Sequence, residues 1–140
     1  MSEVSRKSKV LAVERLMKTL NTISDTGKSM TMEQIKTLFT SDCHMTFNGE
    51  AMCEGYDGLL AHSLDIEKKL KTVHFNLPFL KTVVEGENVL TYYTCDTVGH
   101  DDTKGTVWDM CIYSVREGKI SAVCEVVHFA GQQVELERYT

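Results

Sequence analysis

The residues best suited to proton chemistry lie in one stretch, positions 107–129, which reads VWDMCIYSVREGKISAVCEVVHF. Two alternating runs meet at Arg116-Glu117-Gly118-Lys119, the pattern of a β-hairpin. With Glu117-Gly118 as the loop, strict pairing sets Val115 opposite Ile120, Tyr113 opposite Ala122 and Cys111 opposite Cys124. It then sets Asp109 opposite Val126 and Val107 opposite His128, so Asp109 and His128 become diagonal neighbours on one face. Such neighbours are about 7–8 Å apart between backbones, within reach of these two side chains. A carboxylate against one imidazole nitrogen fixes the tautomer and raises the basicity of the other. This reading makes His128 a general base and Asp109 the group that orients it. The competing reading is a polar pair that satisfies its own hydrogen bonds near a dimer edge. A one-residue slip in the pairing would separate the two residues onto opposite faces.

Other residues fall around this pair. Tyr113 shares the expected face and is placed to donate a hydrogen bond to an oxyanion, although a strand tyrosine is more often core. Tyr92 and Tyr93 alternate along the preceding strand, so one of them faces the cavity, and Tyr92 is carried as a ligand-binding candidate. Cys111 and Cys124 face each other in this register and line the same surface. His44, in an earlier strand, is a second proton-transfer candidate or an ordinary half-buried histidine. Glu125 falls on the opposite face beside Met110, at an interface rather than in the chemistry.

Several familiar chemistries are missing. No two histidines stand at i, i+4, and no His/Cys/carboxylate set has metal-ligand spacing, so neither metal nor cofactor is expected. Thr26-Gly27-Lys28-Ser29 imitates the end of a phosphate-binding loop, but position 22 is Thr where that loop needs Gly. Five cysteines without a CxxC pair read as buried thiols rather than a disulfide framework.

The elements that must position these residues are legible in outline. Leu11 or Val13, Leu16, Met17, Leu20 and Ile23 form a helical stripe that stops at Gly27. Thr31-Met32-Glu33-Gln34 is a capping box opening a short helix with Ile35, Leu38 and Phe39 inward. Residues 43–47 alternate as a strand, Asn48-Gly49-Glu50 is a turn, 51–54 return, and 55–70 form a third helix. From position 73 the period changes to two, giving strands over 73–84, 89–98, 106–115 and 120–129. Pro78 interrupts the first of these and marks an edge or a bulge. Short connections imply an antiparallel meander, hence one α+β domain spanning residues 1–140.

A net charge of -5 without a basic stripe argues against nucleic acid. No apolar run approaches the ~20 residues of a membrane span, and the N-terminus has no signal core, so a cytoplasmic protein is expected. The last two strands carry apolar residues on both faces, and three helices can cover only one. Trp108, Met110, Ile112, Val123, Glu125 and Val127 are therefore expected to pack against a second copy of the chain, as a sheet-to-sheet homodimer.

The order helix, helix, short strands, helix, four-strand meander resembles the nuclear transport factor 2-like superfamily, and within it the SnoaL-like proteins, relatives of polyketide cyclases and ketosteroid isomerases. Leu38-Phe39-Thr40-Ser41-Asp42-Cys43 resembles the family's helix exit, and Glu54-Gly55-Tyr56-Asp57-Gly58-Leu59 its Gly-led entry to the third helix. Gly86-Glu87-Asn88-Val89 and Glu117-Gly118-Lys119-Ile120 resemble its hairpin turns. The resemblance implies a cone-shaped curved antiparallel sheet packed on three N-terminal helices, a cystatin-like α+β barrel, with an apolar cavity at its open end. It also implies a homodimer and a small apolar ligand. SnoaL-like cyclases place an acidic base near the end of the last strand, a position that falls at or near His128. Ketosteroid isomerases place an Asp at the end of the first long strand, where this chain has Phe47, so the resemblance does not carry that base over. Scytalone dehydratase-like members combine histidines with an Asp, closer in residue type.

Two readings follow. One is a cofactor-independent cyclase, isomerase or dehydratase acting on a small apolar ketone, enol or hydroxylated ring. The other is a non-catalytic ligand-binding or dimeric protein-interaction domain.

Overall fold

The structure, a computed structural model, describes residues 2–130. Helix α1 (Glu3–Thr26) opens on the Ser2 hydroxyl and ends at Gly27, whose φ of 70° lets its N–H reach back to the Ile23 and Ser24 carbonyls. Helix α2 (Met32–Leu38) starts with the expected reciprocal box: Gln34 N–H donates to the Thr31 hydroxyl, and Thr31 N–H donates to the Gln34 amide. Strands β1 (Phe39–Phe47) and β2 (Glu50–Glu54) form a hairpin through Asn48 and Gly49, both at positive φ. Then come α3 (Gly55–Lys69), β3 (Leu70–Phe75), β4 (Lys81–Glu85), β5 (Asn88–Gly99), β6 (Lys104–Arg116) and β7 (Lys119–Ala130).

The single strand expected over 73–84 is two strands. Residues 76–80 leave the ladder around Pro78, which lacks an N–H and sits in a cis peptide with Leu77. Both ends of the break stay tied to β5, Asn76 N–H to the Thr94 carbonyl and Leu80 N–H to that of Tyr92. Helix α1 covers the outer edge of β3. The Asn21 amide donates to the Phe75 carbonyl (2.9 Å) and accepts from its N–H (2.7 Å), and the Ser24 hydroxyl accepts from Val73 N–H.

The strand order is β2-β1-β7-β6-β5-β3, with β4 also on β5. All pairings are antiparallel except β1 with β7, which is parallel, so the sheet is mixed. Helix α3 packs on β1 and β2 and also on β3, the opposite ends of that order. The sheet therefore curls around the helices as a cone-like half-barrel. Its concave face and α1 share one core, with Val13, Leu16, Ile35, Phe39, Val89, Tyr113, Val115 and Ile120 buried together.

The final hairpin departs from strict pairing in a way that matters. Glu117 and Gly118 form the turn at positive φ, and Val115 pairs with Ile120 as expected. The next pair is Ser114 with Ala122, so Ser121 is an extra residue in β7, a bulge whose hydroxyl donates to the Ser114 carbonyl (3.2 Å). Every β7 residue beyond it is displaced by one. Tyr113 pairs with Val123, Cys111 with Glu125, Asp109 with Val127 and Trp108 with His128.

Candidate active site

The bulge reverses the expected assignment of faces. Asp109 is on the concave face and 4% exposed, whereas His128 is exposed on the convex face opposite Trp108. The Asp109–His128 arrangement expected from strict alternation is not formed. Glu125, expected on the convex face, points into the concave one. Val123 and Val127 move inward with it, while Cys124 and Val126 move out. Cys111 and Cys124 thus lie on opposite faces and do not meet.

The remaining candidates divide the same way. Tyr113 is buried on the concave face, its hydroxyl 3.2 Å from that of Tyr93. Tyr93 is the inward tyrosine, whereas Tyr92 points outward and its ring lies 5.9 Å from that of Trp108. His44 is exposed, paired with Glu54 on one side and Ala122 on the other. Asp109, Cys111 and Tyr113 are brought together; His128, His44, Tyr92 and Cys124 are not.

Three strands build the site. Tyr93 on β5 stands opposite Asp109 on β6, and Thr91 opposite Cys111. Glu125 on β7 stands opposite Cys111 and diagonal to Asp109, with Phe47 of β1 beside it in parallel register. Asn48 pins β7 on both sides of Val126, next to Glu125, its N–H donating to the Glu125 carbonyl and its side-chain oxygen accepting from Val127 N–H, each at 2.9 Å. Phe75 and Phe79 pack on the Tyr93 ring, with centroids 6.0 and 5.3 Å away. The Asp109 and Glu125 carboxyls and the Cys111 thiol each place one ligand atom within 4.8 Å of the other two. This is the group among the described residues whose donors converge closely enough for a cation.

Two carboxyls this close in an apolar site do not both ionise freely. Burial raises the pKa of Asp109, opposed by hydrogen bonding with Glu125 and then with Tyr93. Burial, then the hydrogen bond with Asp109 and its charge, push Glu125 up to about 9. The pair therefore keeps one proton at neutral pH, held chiefly by Glu125. Burial also raises Tyr93 and Tyr113 well above the usual phenol range, so both remain neutral donors. Asp109 Oδ1 is buried without a hydrogen-bond partner among the described residues. An unpaired buried acceptor is unfavourable in a merely structural role and calls for something to bind it.

Residues 13–123 match the SnoaL-like domain family. The chain belongs to the SnoaL-like family. Solved structures with the same fold include a candidate SnoaL-like polyketide cyclase from Jannaschia sp. CCS1, 15% identical over 86% of this chain and 85% of that one, with a TM-score of 0.68. An LEH-like epoxide hydrolase of M. tuberculosis is 16% identical over 87% and 84% of the two chains, with a TM-score of 0.67. A Catenulispora acidiphila protein with a ketosteroid isomerase-like fold, solved with trimethylamine, is 14% identical over 73% and 78%, with a TM-score of 0.59. No curated protein sequence matches the chain.

Strict alternation places Glu125 of this SnoaL-like chain on the wrong face, and the alternating Tyr92–Tyr93 pair does not by itself say which ring turns inward. Ile120 and Val123 are both buried in the core although three positions apart. A regular strand cannot send both to one face, so their shared burial in the structure requires an inserted residue between them.

Proposed function

We propose that this protein is an enzyme working without a cofactor, one that moves protons on a small, largely apolar molecule in the open end of the cone. The observation that supports it is the inward-facing Asp109–Glu125 pair, with one proton between two carboxyls and an unpaired oxygen on the buried Asp109. The Asp109 carboxylate accepts a proton from an activated C–H or from a hydroxyl. The Glu125 carboxyl returns one to an oxygen of the same molecule, and the pair ends with the same proton count. Tyr93, backed by the Tyr113 hydroxyl, donates a hydrogen bond to the oxygen on which charge develops. Cyclisation, isomerisation, dehydration and strained-ring opening all use this exchange, and the SnoaL-like membership supports that range. Phe47, Val127 and Phe129, half-buried on the same face, offer an apolar wall.

The test is a turnover screen over small ketones, enols, hydroxylated rings and epoxides, with Asp109→Asn and Glu125→Gln alongside the wild type. Each substitution is expected to lower kcat by roughly 10²–10⁴-fold while affinity for these uncharged molecules changes little. Ligands that bind but are never converted by the wild type would make the cone a binding site and sink the enzymatic reading.

We further propose that two copies pair through the convex face. Trp108, Met110, Ile112 and Val126 are 38%, 50%, 42% and 59% exposed there, a contiguous apolar patch on β6 and β7. Val126 takes the place that sequence alternation assigned to Val123 and Val127, and His128 and Cys124 replace Glu125.

A further inference from the structure

The Asp109–Glu125 pair carries a negative charge that no described residue balances. Its neighbours are carboxyl, phenol and thiol groups, and among the described residues no Lys, Arg or His contributes to the electrostatics of either carboxyl. The ion pairs among the described residues, Lys69–Asp65, Lys71–Asp102 and Arg116–Asp42, are all exposed and lie elsewhere. A buried charge without a partner is strongly unfavourable unless a counter-ion arrives. Here the side chain that bears it is 4% exposed, and its Oδ1 has no partner among the described residues.

The surroundings say what kind of cation fits. Opposite Asp109 on β5 stands Tyr93, and Phe75 and Phe79 pack against its ring. Opposite Asp109 on β7 stands Val127, and Phe47 stands beside Glu125. Rings and alkyl groups around one carboxylate favour a cation that is itself greasy. The quadrupole of an aromatic face attracts positive charge, and alkyl substituents on nitrogen lose little hydration on entry. A hydrated metal ion would instead need polar groups for its water shell, and Cys111 is the third donor within reach.

We propose that the open end of the cone recognises a small organic cation, a protonated tertiary amine or a quaternary ammonium, with Asp109 as counter-ion and Tyr93, Phe75 and Phe79 as the aromatic side of the site. The proposal rests on the reading that this end of the concave face is the ligand site, and it names the chemical class of the ligand. Asp109 supplies the charge, whereas Glu125 holds the pair's proton.

Calorimetric titration of the full chain at pH 7 tests it with tetramethylammonium, choline and 3,3-dimethylbutan-1-ol, the uncharged isostere of choline. A neutral cyclic ketone serves as a fourth probe. The expected result is choline binding at least tenfold tighter than its isostere. Glu125→Gln should keep that ratio because Asp109 retains its charge, and Asp109→Asn should bring it to about one. Equal affinity of the wild type for choline and the isostere would overturn the proposal. Binding of the ketone without either cation would overturn it too, while leaving the ligand-site reading intact. Failure of all four probes would count against both. Stoichiometric Zn²⁺ uptake that Cys111→Ser abolishes, with the ammonium probes unbound, would make the cation a metal and reject an organic one.

Discussion

Glu125 sits opposite Cys111 and diagonal to Asp109, and this placement gives the protein an unusual dependence on pH. Its pKa of about 9 in the folded chain is well above the ordinary 4.5, and that of Asp109 is raised in the same direction. The folded protein therefore holds a proton that the unfolded chain releases near pH 4–5. The stabilising contribution is complete below that range and fades as pH climbs towards about 9. Glu125→Gln, neutral at every pH, should be more stable than the wild type at pH 9 by on the order of a few kcal/mol, with little difference at pH 5. Urea midpoints at pH 5, 7 and 9 measure this. His62, lowered by burial, titrates in both proteins and cancels in the comparison. Parallel curves for variant and wild type would remove the shared proton from the account.

At the scale of elements, the site depends on how its edge strands are held. Among the described residues β3 has no strand on its outer side, and Asn21 of α1 stands in for one by bonding both backbone groups of Phe75. Phe75 in turn packs on Tyr93, which stands opposite Asp109. Asn21→Ala removes two hydrogen bonds at about 1 kcal/mol each, plus some desolvation of the groups left behind, about 2–3 kcal/mol in all. The melting temperature should fall, and amide exchange at Phe75 should accelerate more than at Val89 in the core. A uniform change across the chain would mean that the clamp is not local. The bulge at Ser121 is the counterpart on the other side of the site, because it alone turns Glu125 inward.

At the scale of the molecule, the convex face is the unsolved surface. Met110, opposite Val126, stands mid-patch, and Trp108 at one end packs near Tyr92 as the large aromatic side chain of the kind that anchors interfaces. Trp108→Asp should weaken self-association at least about thirtyfold, the equivalent of about 2 kcal/mol, and leave the fold intact. Light scattering over a concentration series reads the mass directly. A wild type that stays monomeric at tens of micromolar, or a variant of unchanged mass, would leave the face without a partner copy.

Much of this architecture was written locally. The Thr31–Gln34 box, the Gly27 stop and the Glu117-Gly118 turn are set by a few residues and their immediate neighbours. The order of elements and the family followed from them. Asp109, Cys111 and Tyr113 were legible as concave-face residues because they lie in β6, whose alternation is unbroken. The partner of Asp109 was not. Both faces of β7 are apolar enough that hydrophobic patterning accepts either register, so a single inserted residue changes every side chain after it without leaving a polar trace. Only the tertiary structure decides between them, because Ile120 and Val123 must both enter the core, and the bulge at Ser121 is what lets them. That requirement exposes His128, turns Glu125 inward beside Asp109, and creates the carboxyl pair on which the proposed chemistry depends.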